Sequence, residues 1–140
     1  MNNTAIDDPR MKKAMEMLAA IEDEDAADEV VAVLQELAPD YTKSTVAYAF
    51  GDTYARTDQL GLREREIATI AMMAAMGNCA PQLKVHIRAG LKVGLTQQEI
   101  VEVISHVGVY AGFPAACNAF FAMKESLREK AEGAAKRAAE

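Results

Sequence analysis

Two histidines, His86 and His106, are the only ones in this 140-residue chain, and each has reactive side chains at helical spacing from it. Cys79, Gln82 and Gly90 stand at i−7, i−4 and i+4 from His86, so a thiol, an amide and an imidazole share roughly one face of a helix that begins early enough. Gly90 would leave space beside the ring. Glu102, His106 and Tyr110 form a second row at i, i+4, i+8, where a carboxylate, an imidazole and a phenol could orient one another and select a tautomer. The plainer accounts are a structural helical histidine at position 86 and a salt-bridged surface row at 102–110. Glu64 and Glu66 open an otherwise apolar helix, alternating with Arg63 and Arg65. They read either as favourable charge at a helix N-terminus or as carboxylates, one of which enters a site and carries a proton. Arg88 lies two residues past His86 and so points elsewhere on the helix, to bind a substrate carboxylate, within or across subunits, or simply to meet water. The chain has no metal-ligand triad, no glycine-rich phosphate loop after a strand and no serine triad in a defensible order. Acid/base chemistry without a cofactor is the class that remains.

The elements that would carry these groups read as helix after helix. Asp8-Pro9 is an N-cap with proline in the first turn, followed by Met11, Met15 and Leu18 as a stripe. Val30, Val33, Leu34 and Leu37 line a second helix that ends near Pro39. A third spans about Asp40 to Arg56, with Val46, Phe50 and Tyr54 in register, and Thr57 to Gly61 is a loop. The stretch from Arg63 to Met76 is apolar nearly all round, the mark of a buried helix, and Gly77-Asn78 stops it. Pro81 opens the helix of His86, which closes at Gly94. Thr96-Gln-Gln-Glu99 is a capping box for the helix of His106, which Gly112-Phe113-Pro114 breaks. Gly108 and Gly112 would permit close helix approach. A last helix starts at Pro114 and fades into a tail, Ala131 to Glu140, expected to fray.

Composition sets the frame. With 51% AVILMFWYC residues and 26% charged, the chain fits one globular domain, and scarce β-branched and aromatic residues argue against a large sheet. No linker divides it, so 1–60 and 61–140 read as sub-layers of one bundle. The net charge of −6 lacks the basic stripe for nucleic acid or an anionic membrane. The longest apolar run, Ile67 to Met76, is too short to cross a bilayer. Met1 to Arg10 has acids and no apolar signal core, so a cytoplasmic location is expected. The acidic cluster of Glu22, Asp23, Glu24, Asp25, Asp28 and Glu29 reads as a solvated helix start. Cys79 and Cys117 form neither a CxxC pair nor a zinc spacing.

Five blocks in order resemble the carboxymuconolactone decarboxylase family over about residues 40–125. They are Phe50-Gly-Asp-Thr-Tyr54, Leu62-Arg-Glu-Arg-Glu-Ile67, Pro81-Gln-Leu-Lys-Val-His-Ile-Arg88, Gly94-Leu-Thr-Gln-Gln-Glu-Ile100, and His106 through Tyr110-Ala-Gly-Phe-Pro-Ala-Ala116. The resemblance implies an all-α bundle of the alkyl hydroperoxidase D type, with about six to seven helices, assembled as a homohexamer. It implies a cofactor-free lyase acting on a small carboxylated lactone in aromatic breakdown. Thiol peroxidases of the same superfamily carry a Glu, a CxxC pair and a His four residues after the second Cys. Their histidine falls on His86, their first cysteine on Cys79, their second on Gln82 and their glutamate on Glu66 or near it. The resolving thiol is therefore missing, and the Glu66–His86 spacing is longer than the peroxidase pattern. A peroxidase using Cys79 with His86 and a non-catalytic oligomeric binding protein are the alternatives.

Overall fold

A computed structural model describes residues 8–22 and 24–139, the stretch 24–30 by its backbone. The segment before Asp8, read above for a secretory signal, lies outside the described residues. So do Asp23 and the side chains of Glu24, Asp25, Asp28, Glu29 and Val30. Among the described residues the chain is all-α. Its elements are α1 (Pro9–Ile21), α2 (Glu24–Leu37), α3 (Pro39–Val46), a π-helix (Ala47–Tyr54), α4 (Leu62–Met76), α5 (Ala80–Lys92), α6 (Gln97–Ala111) and α7 (Phe113–Ala138). They gather into two compact units, Met1–Leu62 and Arg63–Glu140. No helix among the described residues is long and apolar enough to cross a membrane.

In the first unit the Asp8 carboxylate accepts from the Arg10 amide at 2.9 Å and caps α1. Ala14 and Leu18 then pack against Val46, with Met11 and Phe50 at the edge. The expected single α-helix from Asp40 to Arg56 is interrupted. After Val46 the backbone widens to a π-helix, and the Ala55 amide reaches back five residues to the Phe50 carbonyl at 3.1 Å. Two contacts hold that wider turn against α1. A Cβ on Gly51 would run into the Arg10 carbonyl, and Arg10 Nε donates to Asp52 at 2.9 Å. The apolar register survives, since Val46 and Tyr54 are both buried. Glu22, expected in solvent, is instead buried just past the end of α1. Val33, Leu34 and Leu37 on α2 are exposed.

The second unit is a four-helix core. Ile70 and Ala74 of α4, Leu83 and Ile87 of α5, Ile100 and Ile104 of α6, and Ala119 and Met123 of α7 share one cluster. The Thr96 capping box forms as expected: Glu99 N donates to Thr96 Oγ1 at 3.1 Å and Thr96 N to Glu99 Oε2 at 2.8 Å. Gly108 does bring α6 close to α7, since a Cβ there would lie 3.3 Å from Ala116 Cβ. Gly112 acts otherwise. Its φ of +95° ends α6 in a conformation that a side chain disfavours.

Two expectations are corrected. Helix α4 is not buried all round. It buries one row, Glu66, Ile70 and Ala74, while Met72 and Met76 are 58% and 67% exposed, because one helix face is all that the other three helices of this unit cover. Helix α7 does not fade at Ala131 but stays regular to Ala138, as a run of strong helix formers permits.

Candidate active site

Helices α4 and α5 bring together two groups that lie twenty residues apart in the sequence. Glu66 Oε2 is 2.9 Å from His86 Nδ1. The carboxylate sits on the inward row of α4, one turn before Ile70, and has no solvent exposure. The imidazole, 12% exposed, keeps a narrow opening. Only one carboxylate oxygen is used, for Glu66 Oε1 is buried with no hydrogen-bond partner. A bare buried oxygen is a stability cost of about 1–3 kcal/mol that packing alone would not retain. An ionised carboxylate only accepts, so with Glu66 ionised a neutral ring would carry its hydrogen on Nδ1 and turn Nε2 to the opening.

Gly90 does not leave space beside this pair. A Cβ there would meet Leu95 Cδ1 at 2.9 Å, Ile70 Cδ1 at 3.2 Å and Glu66 Cβ at 3.8 Å, so the room is already filled by the neighbouring side chains. Cys79 caps the start of α5, and its thiol lies 3.3 Å from the Met73 carbonyl, not on His86. Gln82 is exposed, and so is Glu64, whose carboxylate lies 3.9 Å from Arg63. Arg63 also pairs with Glu99. Of the two glutamates at the start of α4, Glu66 is thus the one that meets the histidine.

The second row does not line up as expected. Glu102 accepts from Gln98 Nε2 at 2.9 Å, and His106 instead packs its ring on Tyr110, with centroids 5.3 Å apart and planes tilted by 53°. Both rings are exposed, Tyr110 by 82%. The i+4 spacing suits either pairing, and the carboxylate found an amide one turn earlier. Cys117 lies on a cleft of about 350 Å³ between α6 and α7.

Arg88 faces α7. Its Nη1 is 3.2 Å from Glu129 Oε2, while Lys84 Nζ is 2.7 Å from Glu129 Oε1 and 3.5 Å from Glu125 Oε2. Between them the buried Ser126 hydroxyl donates to the Lys84 carbonyl at 2.9 Å. The sequence reading overlooked this clasp, although Lys84/Arg88 on α5 are a basic i, i+4 pair and Glu125/Glu129 on α7 an acidic one. It sets α5 so that positions 84 and 88 serve α7 and positions 86 and 90 serve α4. The Lys84 hydrogen bond holds the Glu129 carboxyl below its usual range, and Glu129 raises the Lys84 ammonium above its own. The clasp therefore stabilises the fold above the unfolded carboxylate pKa of about 4.3 and is lost as pH falls through the lowered value. Glu129 is 37% exposed, so solvent screening keeps the effect to about 1 kcal/mol or less. Glu129→Gln is expected to flatten the acid limb of a melting-temperature profile, and an unchanged limb would remove this role.

A model of the carboxymuconolactone decarboxylase family matches residues 39–125. The chain belongs to the carboxymuconolactone decarboxylase family. The match covers the π-helix, the Glu66–His86 pair and the first half of α7. A 4-carboxymuconolactone decarboxylase of Acinetobacter baylyi is 30% identical over 121 residues, 86% of this chain and 88% of that protein. An uncharacterized 15.0 kDa protein of Paracoccus denitrificans is 31% identical over 83 residues, 59% of this chain and 61% of that one.

Proposed function

We propose that this family member is a cofactor-independent carboxy-lyase that converts 4-carboxymuconolactone, or a related small carboxylated lactone, to 3-oxoadipate enol-lactone and CO₂ in aromatic catabolism. The observation that carries the reading is the Glu66–His86 contact, an acid/base pair buried on facing helices, in a chain similar to a protein of that activity. In the reaction the bond from the ring γ-carbon to its carboxylate breaks. Its electron pair moves through the ring double bond to the lactone carbonyl, which becomes a dienolate oxyanion. CO₂ leaves and a proton is delivered to the α-carbon. Once its Nε2 has taken a proton from water, His86 is the proton carrier or oxyanion donor, and Glu66 holds its ring and balances its positive charge until that proton is passed on. The part of the Arg88 guanidinium not spent on Glu129 offers a clamp for a substrate carboxylate. His106 and Tyr110 are exposed donors for a substrate or a second subunit to cover, and Glu64 and Gln82 are further polar contacts at the surface.

Loss of the lactone absorbance with matching release of CO₂ tests this directly. Arg88→Ala should raise KM more than it lowers kcat, because the clamp acts in ground and transition states alike. No turnover of any carboxylated lactone would end the proposal. The peroxidase alternative needs a thiolate at Cys79 activated by His86. The thiol's hydrogen bond to the Met73 carbonyl supports giving Cys79 a packing role instead.

The protein is further proposed to act as a homo-oligomer, a hexamer by resemblance. Met72 and Met76 on α4, and Val109, Tyr110 and Phe113 around the α6–α7 turn, are exposed apolar side chains that a second copy could cover. Light scattering at micromolar concentration should give a mass well above the 15.1 kDa of one chain. A monomer would remove the claim.

A further inference from the structure

The geometry points to Gly90 as a positioning residue that sets the Glu66–His86 separation. It stands one turn after His86 on the same face of α5, with its backbone against the inward row of α4. The missing side chain is what lets that row come near. A Cβ would meet Leu95 Cδ1 at 2.9 Å and Ile70 Cδ1 at 3.2 Å, and would just touch Glu66 Cβ at 3.8 Å. The two nearest atoms are side-chain tips, which on a surface would swing aside. Here Leu95 is 4% exposed and Ile70 wholly buried, so neither tip can swing out into solvent. On the α4 side the relief is for Ile70 to give by a few tenths of an ångström and to carry its helix outward. Ile70 and Glu66 are one turn apart on that helix and would move together, while His86 stays on α5, clasped to α7 through Lys84 and Arg88. Such a shift stretches the 2.9 Å hydrogen bond toward the weak end of its range.

Intrinsic preference runs the other way. Gly in a helix interior is worse than Ala by roughly 0.5–1 kcal/mol, so an alanine here would strengthen α5 on its own. The glycine is thus accounted for by the contact across to α4 and not by the helix it belongs to.

This inference rests on the proposed role of the pair in catalysis, but its test does not need turnover. The chain has two histidines, and labelling imidazole nitrogens with ¹⁵N gives one set of signals for buried His86 and one for exposed His106 as an internal control. In the wild type, His86 should show a hydrogen-bonded Nδ1–H and an unprotonated Nε2. Gly90→Ala should shift the His86 nitrogens toward the His106 pattern and speed exchange of the Nδ1–H with water, leaving His106 unmoved. kcat should fall about tenfold with little change in KM. Gly90→Ala combined with Ile70→Val removes the α4 atom that the new methyl meets and should restore the His86 signals. It also serves if Gly90→Ala alone does not fold. His86 signals identical to wild type in folded Gly90→Ala, or unrestored in the double variant, would overturn the inference. A wild type inactive on every lactone, with the His86 signals responding as described, would overturn the proposed function and leave the positioning role standing.

Discussion

His86→Gln should lower kcat for the lactone by about 10²–10³-fold, the usual loss when one well-placed hydrogen-bond donor or proton carrier is removed from a reacting centre. Cys79→Ser should keep most of the activity. The contrast follows from where the structure puts the two groups. The imidazole is held by a buried carboxylate at 2.9 Å, while the thiol is turned to the Met73 carbonyl of α4 at 3.3 Å. Serine retains that hydrogen bond. In a thiol peroxidase the order would reverse: Cys79→Ser would abolish peroxide consumption, and His86→Gln would only slow it by reducing the thiolate fraction. Both variants must keep the wild-type oligomer size for the comparison to count. A Cys79→Ser protein dead toward the lactone would sink the preferred mechanism, and two variants with wild-type rates would move the site to Glu102, His106 and Tyr110.

Replacing the pair together, Glu66→Met with His86→Leu, should abolish turnover yet leave the protein as stable as before, or more stable by about 1–4 kcal/mol. The argument is one of desolvation. Glu66 has no exposure, and its Oε1 finds no partner, so its burial is incompletely repaid by one hydrogen bond. Apolar side chains of similar volume would join the core of Ile70, Leu83 and Leu95 without that loss. Thermal melts and lactone turnover on the same preparation decide the matter. A double variant that melts far below wild type would make the pair a structural pin of α4 on α5, whatever its activity.

Much of the helical layout was legible before any coordinates. Proline, glycine and capping residues act through the local backbone, so Asp8-Pro9, Thr96 to Glu99 and Gly112 mark helix ends wherever the helices go. The interruption after Val46 was not legible, and the residue packed on that wider turn is Arg10, some forty residues away, which reaches Asp52 and lies against Gly51. Local periodicity cannot see a partner at that distance.

The same division runs through the candidate site. The all-α class, the family blocks and the short set of groups able to do acid/base chemistry were legible from residue types alone, because type and i, i+4 spacing are properties of one helix at a time. Only tertiary structure chose between Glu64 and Glu66, gave Arg88 to Glu129 and filled the space at Gly90. Each of these depends on how α5 is rotated between α4 and α7. That rotation follows from the sum of many weak packing contacts and a few ion pairs across helices, which no single helix's sequence contains.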